Sequence, residues 1–291
     1  MKRVTIEDMD RICQMIRDYI YENEKIVVGV SGGIDSDVVA RLCVKAVGCE
    51  RVHLFFVKQE GIPKKRLETV KKLTEELECS LSEIDLRGMN TELTEAIHAS
   101  DSLNFNKDSF MDYHRAKCSL RTAIFSAYQD NDFIFCSTTN RTELMTGACM
   151  PFGDMLGNIR PLIHLYKTQV YELAELAGTS ETIRKQAPSA DFWEGEDDMD
   201  DLSYMLLNNK QVAGYRRFSL REMEEAQIIK EQLSGEKIDL ALDAYQNNAT
   251  MEQIAEISGL HIDICYRLRS LIREAERTRS RKILMGLEPL N

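Results

Sequence analysis

Unbroken apolar runs and helical stripes alternate through the first half of this chain. Residues 26–30, 51–57 and 133–136 are short stretches rich in Val, Ile, Leu and Phe, bounded by turn signals. Strands buried on both faces have this pattern. A weaker strand is expected over 81–84. Between the strands, apolar residues recur every three or four positions. Ile12, Met15, Ile16 and Ile20 do so within 5–23, Val38, Val39, Leu42 and Ala46 after Ser36, and Leu120, Ile124 and Tyr128 within 114–128. Pro63 opens another helix, to about Leu77, with a face of lysines and glutamates. Strands alternating with helices of this length predict an α/β fold with a doubly wound, mostly parallel sheet and helices on both faces. Ligands in such folds bind outside the carboxyl ends of the strands.

After residue 137 the pattern loosens. Gly147, Gly153 and Gly157 interrupt it, and a helix over 166–178 follows, closed by Gly178. Residues 185–203 read mostly as loop. They include the acidic run Glu194, Glu196, Asp197, Asp198, Asp200 and Asp201, expected to face solvent. From about 220 the chain reads as helices, over 221–233, 251–257 and 261–273. Two units are expected: 1–205, and a helical C-terminal extension, 206–291, packing on or near the site of the first. The basic residues near the end, Arg267 to Lys282, are expected to fold back over that site.

Composition narrows the class. The apolar fraction is 43%, the charged fraction 29%, and no run is long enough to span a membrane. The net charge of −11 argues against non-specific nucleic-acid binding. The eight cysteines never form a C-x-x-C pair and sit mostly among apolar residues, as in a reduced, cytoplasmic protein. No histidine pair has zinc spacing.

The first strand ends in Ser31-Gly32-Gly33-Ile34-Asp35-Ser36. A strand, a glycine turn and a helix N-terminus make an anion site, because backbone N–H groups point at the ligand along the helix dipole. Gly29, Ser31, Gly32, Gly33 and Ser36 are the candidates to cradle phosphate. Asp35 is a carboxylate beside phosphates, which calls for an intervening cation, so Mg2+ is the expected metal. The spacing is not that of Walker A. It resembles the pyrophosphate loop of the N-type ATP pyrophosphatases, which cleave ATP between its α and β phosphates.

Further blocks follow in order: Ser137-Thr138-Thr139-Asn140-Arg141-Thr142-Glu143, Phe152-Gly153-Asp154, Leu165-Tyr166-Lys167-Thr168-Gln169-Val170, and Lys185-Gln186-Ala187-Pro188-Ser189-Ala190-Asp191. With the first block, they make residues 10–205 resemble the ammonia-dependent NAD synthetase family. The resemblance implies a two-step ligase. The carboxylate of deamido-NAD attacks the α-phosphorus of ATP, pyrophosphate leaves, and ammonia then converts the acyl-adenylate to the amide, giving NAD and AMP. It also implies roles. Asp35 and Glu143 would bind magnesium. Lys167, Lys185 and Ser189 would neutralise or contact the phosphates, and Asp35, Lys167 and Ser189 would form the catalytic set. Thr138 would bind ATP, and Arg121, Asp154 and Asn158 would face the acceptor. The family forms homodimers, so a second copy is an expected partner. Ammonia is the expected nitrogen source, with a separate glutaminase subunit as another.

Some positions depart from the family pattern. Ala123 stands where a second arginine is usual, Asn158 where an aspartate is usual, and the acidic loop 195–199 is altered. Two alternatives therefore stay open: a related ligase amidating a different carboxylic acid, and a non-catalytic nucleotide-binding or regulatory protein.

Overall fold

The computed structural model describes every residue except 106, 108–109, 150–152, 154–155, 190–196, 209–217 and 280–291. Asp154, Trp193 and the last basic residues lie outside the described residues.

The first helix, α1 (Ile6–Tyr19), starts at a capping box between Thr5 and Asp8 and turns Met9, Ile12, Cys13 and Ile16 inward. The chain then alternates: β1 (Lys25–Gly29), α2 (Ile34–Val47), β2 (Val52–Lys58), α3 (Lys64–Leu77), β3 (Ser80–Asp85), α4 (Met89–Ser100), α5 (Phe110–Gln129) and β4 (Phe133–Cys136). The four strands form one parallel sheet in the order β3-β2-β1-β4. Ile26 pairs with Val52 on one side and Ile134 on the other.

Alternate side chains of each strand go to opposite faces. Ile26 and Val28 join Leu54 and Phe56 in a cluster with α1 and α2. Val27, Phe55, Val57 and Phe135 pack on the other face, against Phe125 of α5. There the rings of Phe125 and Phe135 stack with centroids 4.0 Å apart. The sheet is doubly wound, as the apolar runs predict. Chain order runs from β1 outward to β3 and then returns to β4 on the other side of β1. The switch point lies between β1 and β4, where ligands of such sheets bind.

After β4 come α6 (Arg141–Thr146), α7 (Lys167–Leu176), the short α8 (Glu181–Arg184), α9 (Asp198–Asn208), α10 (Leu220–Lys230), α11 (Gly235–Gln246), α12 (Met251–Ser258) and α13 (Ile262–Arg279). Their second core joins Leu202, Met205 and Leu206 of α9 to Ile238 and Leu242 of α11 and to Leu268 and Leu271 of α13. Tyr166 belongs to it as well.

The loop expected over 185–203 gives way at Asp198 to a helix. Carboxylates in a first helical turn are favourably placed against the helix dipole, so the acidic run starts α9. The helix α11 was not anticipated. All eight cysteines are thiols, and Cys43 Sγ lies 3.7 Å from Cys136 Sγ where α2 packs on β4. Among the described residues, no helix is long and apolar enough to cross a membrane.

Candidate active site

The loop after β1 is shaped by its small residues. At Gly29 a Cβ would come within 2.9 Å of the Phe55 ring. Gly32 has φ +81° and packs its Cα against the backbone of α3, where a Cβ would lie 3.0 Å from the Arg66 carbonyl oxygen. The Ser31 amide donates to Ser36 Oγ at 3.2 Å, Gly33 N donates to Ser31 Oγ at 3.2 Å, and Ser36 Oγ donates to the Gly33 carbonyl at 3.0 Å. Gly33 precedes α2 in an extended conformation with no side-chain cap. The loop is thus pre-folded around its own hydroxyls.

Asp35 lies in the first turn of α2. Its Oδ2 is 2.5 Å from Lys167 Nζ, and its Oδ1 accepts from Asn140 Nδ2 at 3.0 Å. Asn140 is fully buried. Its side-chain oxygen accepts from the Glu143 amide at 3.0 Å, and Glu143 Oε2 accepts from the Asn140 amide at 3.0 Å. This capping box starts α6. One asparagine thus ties the loop after β1 to the loop after β4. Asp198, at the start of α9, brings a second carboxylate to Lys167, 4.0 Å away. The Asp198 amide donates to the Pro188 carbonyl at 3.0 Å, which draws the half-buried Ser189 segment toward the cluster.

The electrostatics follow from three carboxylates around one ammonium. Burial, then the neighbouring Asp35 charge, pushes the Glu143 carboxyl up to about 8. Asp198 is also raised, chiefly by burial. Lys167 is held charged far above its ordinary range. Burial opposes that, but Asp35, Glu143 and Asp198 outweigh it.

Of the residues singled out in the sequence, Asp35, Glu143 and Lys167 meet here, beside Ser31, Gly32, Gly33 and Ser36. Thr138 follows β4, half-buried. Lys185 instead pairs with Glu181 at 2.6 Å on the solvent surface. Arg121 donates from Nε to Gln59 Oε1 at 3.0 Å, at the end of β2. Asn158 accepts from the Phe135 amide and from Gln129, each at 2.9 Å, so its side-chain oxygen holds the edge of β4.

Three residues near the cluster drew no separate reading in the sequence. Asn140 could have been found from the N-x-x-E capping spacing. Asp198 was hidden by the length of the acidic run. Arg66 was hidden among the lysines and glutamates of α3. It is buried, donates from Nη1 to the Gly32 carbonyl at 3.3 Å, and faces the carboxamide of Gln186, three residues before Ser189.

The comparisons with known proteins converge on one family. The NAD synthase family model matches residues 8–249. The NH3-dependent NAD+ synthetase of Pyrococcus horikoshii is 29% identical over 292 residues, covering 98% of each chain. Among solved structures, NMN synthetase from Francisella tularensis superposes with a TM-score of 0.70 at 23% identity, covering 97% of each chain. NH3-dependent NAD synthetase from Campylobacter jejuni gives a TM-score of 0.67 at 20% identity, covering 97% of this chain and 98% of that one. With a family model spanning most of its length and these loops at the sheet's switch point, the chain belongs to the NAD synthase family.

Proposed function

We propose that the protein is an ATP-dependent amide ligase that converts deamido-NAD and ammonia to NAD, AMP and pyrophosphate. The nicotinate carboxylate oxygen bonds to the α-phosphorus, the bond to the β-phosphate bridging oxygen breaks, and pyrophosphate carries the electron pair away. Ammonia then bonds to the acyl carbon, AMP leaves, and one proton is released to solvent. The observation that carries the reading is the Asp35–Lys167 pair, 2.5 Å long and bound through Asn140 to Glu143, beside a pre-folded phosphate loop.

In this reading Gly29 and Gly32 allow the loop its close packing, while Ser31, Gly33 and Ser36 hold the leaving pyrophosphate. Lys167 and Ser189 contact it from the other side, with Lys185 swinging in from the surface, and Thr138 contacts ATP. Charge developing on a leaving phosphate is stabilised most by donors already fixed in place. Lys167 is fixed by its carboxylate neighbours. Asp35 and Glu143 would hold magnesium. Two carboxylates pressed together by Asn140, one with a raised pKa, form a place where a cation relieves repulsion. Among the described residues no three His, Cys, Asp or Glu side chains converge on one metal position. Held there by Asp35 and Glu143, magnesium would supply positive charge that offsets the charge of the phosphates.

A second reading keeps this chemistry with a smaller acceptor. Ala123 offers no guanidinium, and Asn158 is engaged at β4. The Francisella tularensis neighbour is an NMN synthetase. The deciding experiment is incubation with magnesium, ATP, ammonium and deamido-NAD, following NAD, AMP and pyrophosphate. Equal amounts of all three support the first reading. Turnover only with nicotinate mononucleotide supports the second. Folded protein that binds ATP and releases no pyrophosphate with either acid refutes both. The homodimer is part of the proposal, and light scattering in solution tests it.

A further inference from the structure

Two helices begin at the cluster, and their first turns carry its chemistry. Lys167 is the first residue of α7, and Glu143 lies in the first turn of α6. Helix starts leave backbone N–H groups without intrahelical partners, so something must fix them. Here a third helix does so. The Asp239 carboxylate, on α11, is fully buried. Its Oδ2 accepts from the Thr168 amide at 2.8 Å, and its Oδ1 accepts from Thr142 Oγ1 at 2.6 Å. Thr142 Oγ1 in turn accepts from the Lys167 amide at 2.9 Å. One carboxylate therefore satisfies the first two amides of α7, one of them through a threonine of α6. The contact is charge-assisted and favourably oriented against the α7 dipole.

The pattern repeats two turns along α11. Gln246 lies seven residues after Asp239, on the same helical face. Its Oε1 accepts from Arg141 Nε at 2.8 Å and from the Tyr166 hydroxyl at 2.9 Å. Arg141 and Tyr166 are the sequence neighbours of Thr142 and Lys167. The C-terminal helical core thus grips α6 and the start of α7 at two points.

We infer that Asp239 is a positioning residue: through Thr142 and Thr168 it sets the register of Lys167 against Glu143 and Asp35. The inference rests on the phosphate and cation roles proposed for those residues. The effect would be on placement, since Asp239 bonds the Thr168 amide at the start of α7 and the Thr142 hydroxyl in the first turn of α6.

The test compares Asp239→Asn, Thr142→Val, the double variant, and Leu242→Ala as a packing control from the same helix. Each is measured for magnesium pyrophosphate binding by calorimetry, for kcat and KM, and for Tm. Misplacing a reacting group by an ångström costs about 10²-fold. Asp239→Asn and Thr142→Val are each expected to lower kcat about 10–100-fold and to weaken magnesium pyrophosphate binding, with KM for the acceptor nearly unchanged. Because the two residues form one chain of hydrogen bonds, the double variant should be little worse than the poorer single variant. Leu242→Ala should lose Tm and keep its kcat below the transition. Unchanged kcat and pyrophosphate binding in Asp239→Asn would overturn the inference. So would multiplicative losses in the double variant, or a Leu242→Ala protein that loses kcat in step with Tm. If the parent makes no amide but binds magnesium pyrophosphate, the amidation reading fails alone and the binding series still decides the role of Asp239. A parent that neither turns over nor binds refutes both.

Discussion

At Lys167, one ammonium answers three carboxylates, and this imbalance makes two residue-scale predictions. Lys167→Ala removes the positive charge that contacts Asp35 at 2.5 Å, and fixed charge at a leaving phosphate contributes strongly to catalysis. A fall in kcat of about 10²–10³-fold is expected. Lys167→Arg should recover little of it, because a planar fork cannot occupy the position of a compact ammonium. Steady-state kinetics checks both, and near-normal turnover in Lys167→Ala would remove Lys167 from the mechanism. Glu143→Gln makes a pH-dependent prediction. In the unfolded chain this carboxyl loses its proton near 4.5, whereas in the folded chain it keeps it to about 8. The ligand-free fold therefore loses stability from this group as pH rises through that window. Glutamine does not titrate and can still accept the capping hydrogen bond. The Tm of Glu143→Gln should match the parent near pH 4.5, rise above it as pH increases, and hold a constant lead beyond about pH 8. Turnover should fall at every pH. A Tm difference independent of pH would contradict the buried like-charge account.

Among the elements, the loop between β1 and α2 does most to shape the site, and its conformation depends on Gly32. At φ +81° an alanine is strained, and its Cβ would meet the Arg66 backbone. Gly32→Ala should cost about 1–3 kcal/mol of stability and raise KM for ATP. Gly33→Ala meets only Ser31 Oγ, at 3.3 Å with no left-handed φ, and should be milder in both respects. Denaturant titration and ATP kinetics separate the two. Equal effects would mean that crowding against Arg66 is not what the glycine avoids. This loop was legible in the sequence because a buried strand, small residues and a helix start occur in direct succession. β1, β2 and β4 were legible for the same reason, as unbroken apolar runs declare themselves locally, whereas the polar Ser80, Ser82 and Glu83 of β3 left only a weaker signal. The start of α9 was not, because counting its acidic residues argues for solvent, while their position in a first helical turn decides the matter. Nor was α11, whose buried Ile238, Ala241 and Leu242 are a short stripe that gains meaning only from the partners it meets in α12 and α7. Arg66 and Asp239 escaped for a related reason: a charged residue inside a charged helix or beside an apolar stripe carries no local sign that it is buried.

For the whole molecule, the question is whether the sheet and the C-terminal helices stand or fall together. They have separate apolar clusters, yet Tyr166 and Met145 from the sheet-bearing part pack into the helical cluster, and the Asp239 and Gln246 bonds cross between the two. Such crossings couple unfolding, because opening one cluster exposes polar groups buried by the other. Leu271 of α13 is fully buried in the helical cluster. Leu271→Ala should cost about 2–5 kcal/mol through lost burial and the cavity it leaves. Calorimetry should still show one transition, displaced to lower temperature and detected equally by circular dichroism. Saturating magnesium and ATP should then restore about 2.7 kcal/mol at a ligand concentration a hundred times Kd, by mass action on the folded state alone. That recovery is expected even though the lesion lies in the helical cluster, because ligand bound at the sheet's switch point stabilises the cooperative unit as a whole. Two separate transitions in Leu271→Ala, with ligand raising only the upper one, would show instead that the two cores fold independently and that the bonds from α11 do not couple them.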